Sequence, residues 1–193
     1  MDSWAAASGH ARAEVHRGLL APGWQRWLLA TGALALAVFV VASAVLFVWP
    51  AADHPRPVGA ILSLNGEDES ARESQAIALA EKGYAPVLLF SQGHFATACP
   101  SVPRVKVVCF IPVPNRTVGE VRFAADYAKQ HDLSSLMIVP GRAQTTRARV
   151  LIRRCFPGQV VMVPASVPLL AIPFEVVYEW GALAKALLLD RHC

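Results

Sequence analysis

The feature that most constrains this chain is an uncharged apolar run, Trp27–Trp49, near its amino end. Its 23 residues include no charged side chain and no proline. As a helix the run would be about 34 Å long, enough to cross the roughly 30 Å hydrocarbon core of a bilayer. Trp24, Trp27 and Trp49 stand near its ends, where tryptophan favours the membrane interface. The run therefore predicts one transmembrane helix rather than the core helix of a soluble domain.

A cleavable signal peptide is the alternative interpretation of this run. Ala42-Ser43-Ala44 has the small side chains of a cleavage site. However, the site lies inside the apolar run, and the segment before the run is long for a signal peptide. These features favour an uncleaved anchor.

Basic residues around the span predict its orientation. Arg12, Arg17 and Arg26 precede it, whereas Arg56 alone follows closely. The positive-inside rule then places the amino terminus in the cytoplasm and residues 50–193 outside the cell membrane. The whole chain has a net charge of only +4, which, with this location, argues against a nucleic-acid partner.

The composition divides the chain into four parts. Its first part is small, polar and rich in alanine, and Pro50–Pro57 contains three prolines and predicts a stiff linker. The predicted parts are a cytoplasmic tail (1–26), a transmembrane helix (27–49), a linker (50–57) and an extracytoplasmic domain (58–193).

The cysteines fit an oxidising compartment, because all four follow the span. Cys99 and Cys109 flank a short loop that they could close, which would leave Cys155 for Cys193. Four cysteines allow three connectivities, so this pairing stays one option. A zinc site is the weaker alternative, because no C-x-x-C spacing occurs.

Short apolar runs alternate with segments of helical periodicity after the linker. Such an order predicts a parallel sheet covered by helices on both faces. We therefore expect an α/β domain of Rossmann-like type, a three-layer sandwich preceded by one transmembrane helix. The predicted strands are Val58–Leu64, Pro86–Phe90, Val105–Ile111, Leu136–Val139 and Val160–Val163.

The predicted helices carry narrow apolar stripes. Val121, Ala124, Ala125 and Ala128 form one, and Ala148, Leu151, Ile152 and Cys155 form another. Ser70–Glu73 and Thr117–Glu120 have the form of capping boxes at helix starts. A last helix, about Phe174–Leu189, contains Glu175, Glu179 and Lys185, so we expect it to pack on the sheet rather than to cross the membrane.

Polar residues follow the predicted strands, at the edge where parallel sheets bind ligands. Helices that start there offer free N–H groups and a positive dipole end, which suits phosphate, pyrophosphate or carboxylate. Thr117 and Glu120 have a simpler explanation as a capping box, which stays open. The strand ends supply Asn65, Gly66, Gln92, Gly93, Asn115, Arg116, Thr117, Gly141, Arg142 and Gln144.

Five arginines follow the predicted fourth strand. Arg142 and Arg147 flank a helix start and are ligand candidates, whereas Arg149, Arg153 and Arg154 lie away from the apolar stripe and predict a solvated face. Acidic residues 67–69 could hold a divalent cation, but an acidic helix start serves the dipole equally. No metal site is therefore assigned.

The order of these motifs resembles the YdcF/SanA/ElyC family, a bacterial domain often found behind one membrane anchor, and the chain is most similar to its actinobacterial members. The resemblance covers nearly all of residues 58–163. The matching segments are VGAILSLNG (58–66), GYAP (83–86), LLFSQG (88–93), TVGE (117–120) and 138–155, with RAR at 147–149, followed by RRCF at 153–156.

This resemblance implies a Rossmann-like domain with a role in cell-envelope integrity, peptidoglycan or lipid-carrier metabolism. It also implies a polar pocket formed by Asn65, Gly66, Arg72, Gln92, Gly93, Thr117, Glu120 and Arg147. A soluble member is reported to bind S-adenosylmethionine, so an S-adenosylmethionine-binding domain is a third interpretation. An extracytoplasmic location argues against it because that cofactor is cytoplasmic, and no cofactor is assigned.

One departure from the family concerns Gln144, which stands where a histidine is expected. Glutamine forms hydrogen bonds but does not exchange a proton near neutral pH. We therefore expect binding of an anionic, phosphate-bearing envelope precursor, such as a lipid-linked phosphate, and leave catalysis open. A catalytically inactive scaffold of the envelope is the alternative.

Overall fold

The computed structural model describes residues 23–66, 69–92, 99–165, 172–191 and 193. Its elements are α1 (Gly23–Ser43), β1 (Ala60–Ser63), α2 (Glu69–Glu81), β2 (Val87–Ser91), β3 (Lys106–Phe110), α3 (Thr117–Gln130), β4 (Ser135–Val139), α4 (Thr145–Cys155), β5 (Gln159–Met162) and α5 (Ile172–Leu188).

The apolar run forms helix α1 and continues through a π-helical turn, Ala44–Val48. The helix is long and apolar enough to cross a membrane, and little of it is buried by protein. The chain divides into two compact units at Val38 and Phe39. In the first unit, Trp27 and Leu29 are among many exposed apolar side chains. One apolar amino-terminal helix thus fits a membrane anchor.

The five strands form one parallel sheet in the order β3-β2-β1-β4-β5. Ile61 lies beside Leu88 of β2 and Met137 of β4, which fixes the register at the centre. The β1 residues are buried on both faces, which explains why the strand is a continuous apolar run in the sequence. The predicted α/β, Rossmann-like architecture is confirmed.

Helices cover both faces of this sheet. On one face, α3 and α4 pack through their predicted stripes, including Val121, Ala124, Ala148 and Ile152. On the other face, α2 packs through Ala76 and its neighbours. The domain therefore has the predicted three layers.

Helix α5 packs mainly on other helices rather than directly on the sheet, although its Ala186 joins the core cluster on the face covered by α3 and α4. It contacts α4 and the end of the apolar helix, where Leu183 shares a small core with Phe47 and Ala143. Helix α4 covers β5 on that face, and α5 lies against α4.

Asp53 holds the linker along β5. Its backbone N–H donates to the Met162 carbonyl, and its carboxylate accepts from the Met162 N–H, both at 2.8 Å. Arg149 donates to Asp53 at 3.2 Å and to the Ala51 carbonyl at 2.8 Å. Arg149 therefore contacts the linker rather than belonging to a solvated face, whereas Arg153 is exposed as expected.

Two disulfides join the four cysteines in the predicted pairs, Cys99–Cys109 and Cys155–Cys193. The second connects the end of α4 to the carboxyl terminus. Because all four cysteines are in disulfides, they form no zinc site.

Candidate functional site

A cavity lies at the carboxyl edge of the sheet, where the strand order reverses between β1 and β4. Parallel sheets bind ligands at this point because the loops on either side diverge and leave a crevice. The cavity has a volume of about 510 Å³. It is lined by Asn65, Gly66, Arg72, Asn115, Arg116, Thr117, Glu120, Gly141, Gln144, Arg147, Phe174, Glu175, Tyr178 and Glu179.

Arg72 is a cation buried beside two glycine loops. It comes from α2 and is 3% exposed. A Cβ added at Gly66 would lie 3.3 Å from Arg72 Nη2, and one added at Gly141 would lie 2.8 Å from Nη1. Gly66 also has a φ of +136°, a backbone conformation that residues with a Cβ atom rarely adopt. The glycines after β1 and β4 therefore allow one guanidinium to reach both loops.

Glu120 is a buried carboxylate of α3 that faces the loop after β1. Its Oε1 accepts the Asn65 N–H at 2.6 Å. Burial raises the pKa of the Glu120 carboxyl above its ordinary value, and this effect outweighs the lowering by Ser91, the Asn65 amide, Arg72 and Arg147. Burial therefore favours the protonated form of this carboxyl more than in an exposed glutamate.

Thr117 and Glu120 do not form the capping box that their spacing suggested. Helix α3 begins at Thr117 itself, after Arg116. The Thr117 hydroxyl accepts from Gln144 Nε2 at 2.9 Å and from Arg147 Nη1 at 2.8 Å. Both side chains thus belong to the cavity rather than to the helix end.

Gln144 connects the loop after β4 to α3. Besides donating to Thr117, its Oε1 accepts the Gly141 N–H at 3.3 Å. The amide therefore uses both of its ends in holding the loop. This is a positioning role, and it differs from the proton transfer that a histidine there could perform.

Arg147 forms a two-bond ion pair with Glu179 of α5. Nε donates to Oε2 at 2.9 Å and Nη2 to Oε1 at 2.8 Å. Burial lowers the Arg147 pKa, but the hydrogen bonds and charge of Glu179 outweigh this and raise it. The side chains are 11% and 5% exposed. Arg147 is therefore fixed, charged and partly neutralised by its partner.

The cavity carries both signs of charge. Its cations are Arg72, Arg116 and Arg147, and its carboxyl groups are Glu120, Glu175 and Glu179. The starts of α3 and α4 also lie there, with the positive ends of their dipoles. Such a mixture can bind an anionic group through the arginines and accept hydrogen bonds from hydroxyl groups through the carboxylates.

Seven of the ten ligand-binding residues predicted from the sequence line this cavity: Asn65, Gly66, Arg72, Thr117, Glu120, Gln144 and Arg147. Gln92 and Arg142 do not line it. Gly93 lies outside the described residues. From the loop after β4, Gly141 and Gln144 line the cavity.

The contribution of α5 was not predicted. Phe174, Glu175, Tyr178 and Glu179 line the cavity from this helix. A signal was present in the sequence, since Glu175 and Glu179 are spaced i, i+4 in an otherwise apolar segment. On sequence grounds alone, these charges argue only against a second span.

Within the residues that the structure describes, no group of three or more His, Cys, Asp or Glu could hold a metal ion. The acidic pair Glu67 and Asp68, considered above for a cation, lies outside those residues. Comparisons of the chain with protein-family models, curated proteins and solved structures found no match.

Proposed function

We propose that this protein is a single-pass membrane protein whose outer α/β domain binds a phosphate-bearing precursor of the cell envelope. The observation that carries the proposal is the convergence of Arg72, Arg147 and two helix starts on one cavity at the strand-order reversal. Guanidinium groups bind phosphate oxygens through charge-assisted hydrogen bonds, and helix starts add free N–H groups.

The proposed extracytoplasmic location of the α/β domain rests on three features. The apolar helix fits an anchor, basic residues precede it, and both disulfides lie after it. Disulfides persist in oxidising compartments and are rare in the cytosol. A periplasmic-type reporter fused after Cys193 should be active, and an inactive reporter would overturn this orientation.

The ligand carries hydroxyl groups as well as phosphate. Three carboxyl groups line the cavity beside its arginines, and carboxyl oxygens accept hydrogen bonds from hydroxyls, so a ligand that carries hydroxyls should bind more tightly than pyrophosphate. The rings of Phe174 and Tyr178 at its rim give an apolar surface for a sugar ring. A sugar phosphate or sugar pyrophosphate meets all of these requirements and is the chemistry of an envelope precursor.

The test of binding is calorimetric titration of the full chain in nanodiscs with pyrophosphate and a sugar pyrophosphate. Arg72→Met should weaken binding at least tenfold, since it removes the buried cation. The matched control Arg153→Met changes an exposed arginine outside the cavity and should leave binding unchanged. Thermal unfolding of each variant shows whether it is folded. Unchanged binding in folded Arg72→Met would overturn the proposal.

Binding without catalysis is the second candidate function, and the use of both ends of the Gln144 amide favours it. A turnover assay with lipid-linked phosphate substrates discriminates the two, run beside Gln144→His and Glu120→Gln. Turnover by the natural protein that Glu120→Gln abolishes would make it an enzyme. Turnover in Gln144→His alone would show that the natural protein binds but does not react.

A further inference from the structure

Helix α5 presents a continuous apolar face to the outside of the domain. Phe174, Val177, Tyr178 and Leu188 are exposed by 87%, 77%, 67% and 61%. Gly181 and Ala184 are exposed between them. These positions follow helical spacing, so they form one stripe along the helix. Lys185 is the one charged side chain on this stripe. Large exposed apolar patches mark interaction surfaces.

The end of the apolar helix packs directly against α5. Trp180 stacks on Phe39 with ring centroids 5.5 Å apart and contacts Phe47 edge-on at 5.3 Å. Its indole N–H donates to the Ser43 hydroxyl at 2.9 Å. All of these residues belong to one compact unit. The place of α5 relative to a membrane therefore follows from the depth of Phe39–Val48.

That depth can be worked out from lengths. The apolar helix has 26 residues, which is about 39 Å, so at most about 9 Å projects beyond a hydrocarbon core of roughly 30 Å. Phe39 precedes the helix end, Val48, by about 14 Å of rise. Phe39 thus lies within the apolar region near its outer boundary, and Trp180 stacked on it lies at the interface, where tryptophan is favoured.

From these observations we infer that the apolar face of α5, from Phe174 to Leu188, lies on the outer surface of the lipid bilayer. The inference rests on the proposed membrane anchor. Val177 and Leu188 enter the acyl boundary, Phe174 and Tyr178 lie at its edge beside the cavity, and Lys185 extends to lipid phosphate groups. The domain is then attached by its span and by an interfacial helix.

The inferred surface has a consequence for the cavity. Phe174 and Tyr178 belong both to the α5 stripe and to the cavity rim. The loop after β4 and the start of α4 also contact the helix end, since Ala143 packs on Phe47 and the Thr146 hydroxyl donates to the Leu46 carbonyl. The cavity therefore opens at headgroup level, where a lipid-linked phosphate reaches it without leaving the membrane.

The experiment is photo-crosslinking of the full chain in its native membrane. We would replace Val177 and Leu188, each in a separate protein, by p-benzoylphenylalanine. Two further positions are the references: exposed Leu36 within the span, and exposed Lys82, which follows α2 at the opposite edge of the sheet. Mass spectrometry then identifies lipid and protein adducts.

We expect lipid adducts at positions 177, 188 and 36, in yields several-fold above those at position 82. The inference would be overturned if positions 177 and 188 crosslinked to a second copy of the chain or to another protein. It would also be overturned if their lipid adducts formed in no higher yield than those at position 82. Position 36 separates the two proposals. If position 36 crosslinks to lipid while positions 177 and 188 do not, the membrane anchor is supported and the membrane contact of α5 is wrong. If position 36 does not crosslink to lipid either, the membrane anchor itself is wrong.

Discussion

Glu179→Gln should destabilise the domain and at the same time strengthen its binding of pyrophosphate. The substitution leaves the Arg147 guanidinium buried without its counter-charge while it retains one hydrogen-bond acceptor. Removing one partner of a buried pair costs about 3–5 kcal/mol. Arg147 borders an open cavity that water can enter, so we expect the lower end, about 3 kcal/mol.

For a domain of this size, about 3 kcal/mol corresponds to a fall in melting temperature of roughly 6–12 °C. The assay is thermal unfolding of the full chain in nanodiscs, followed by circular dichroism. Pyrophosphate titration of the same sample should show an affinity several-fold higher, because Arg147 is no longer neutralised. Asp126→Asn, an exposed carboxylate-to-amide change on α3, is the control and should stay within about 0.5 kcal/mol.

A double variant separates charge from packing. Arg147→Met with Glu179→Leu replaces the pair by apolar side chains, which is often neutral for stability, within about 1 kcal/mol here. Its pyrophosphate affinity should fall. If Glu179→Gln changed neither melting nor affinity, the ion pair would contribute to neither, and the electrostatic account of the cavity would be wrong.

Three further predictions concern the cavity and the disulfides. Because burial raises the Glu120 pKa, its protonated form stabilises the fold at acidic pH, and this stability is lost as the pH rises from the ordinary carboxyl pKa through the raised one. Over this pH range the natural protein loses stability, whereas Glu120→Gln does not. The unfolding free energy of Glu120→Gln should therefore rise relative to that of the natural protein, as measured by urea unfolding at a series of pH values. Gly141→Ala places a methyl group 2.8 Å from Arg72 Nη1, which must move. Pyrophosphate affinity measured by calorimetry should fall about tenfold, or 1.4 kcal/mol. Replacing both Cys155 and Cys193 by serine opens a link across 38 residues and should cost about 4 kcal/mol in urea unfolding.

Each of these three has its own control. A constant stability difference between natural protein and Glu120→Gln at all pH values would contradict the raised pKa. Gly181→Ala, with open space around its added methyl, should leave affinity unchanged and gain up to about 1 kcal/mol in helix stability. The pair Cys99 and Cys109 spans only 10 residues, so replacing it should cost less, about 3 kcal/mol. Equal losses for both pairs would contradict the loop-entropy reasoning.

Much of the cavity was predictable because its residues follow strands that the sequence marks clearly. Buried parallel strands must be apolar throughout, so Val58–Leu64 and Leu136–Val139 stand out from the segments around them. Once those ends are known, Asn65, Gly66 and Gln144 follow as neighbours at one edge. Which of the loop residues line the cavity, Gly141 and Gln144 but not Arg142, depends on the backbone path of the loop, which no local pattern specifies.

Local patterns alone determined the apolar helix and the alternating strands and helices. The number and position of the cysteines predicted disulfides, but the structure decided which of the three possible pairings forms. Only the tertiary structure decided that α5 stacks outside α4 and brings Glu179 to Arg147, residues that lie 32 positions apart. The physical reason is one of range. Strand and helix signals arise from burial and hydrogen bonding within a few residues, whereas the partner of a buried charge depends on which distant surfaces remain uncovered after the sheet and its first helices have packed.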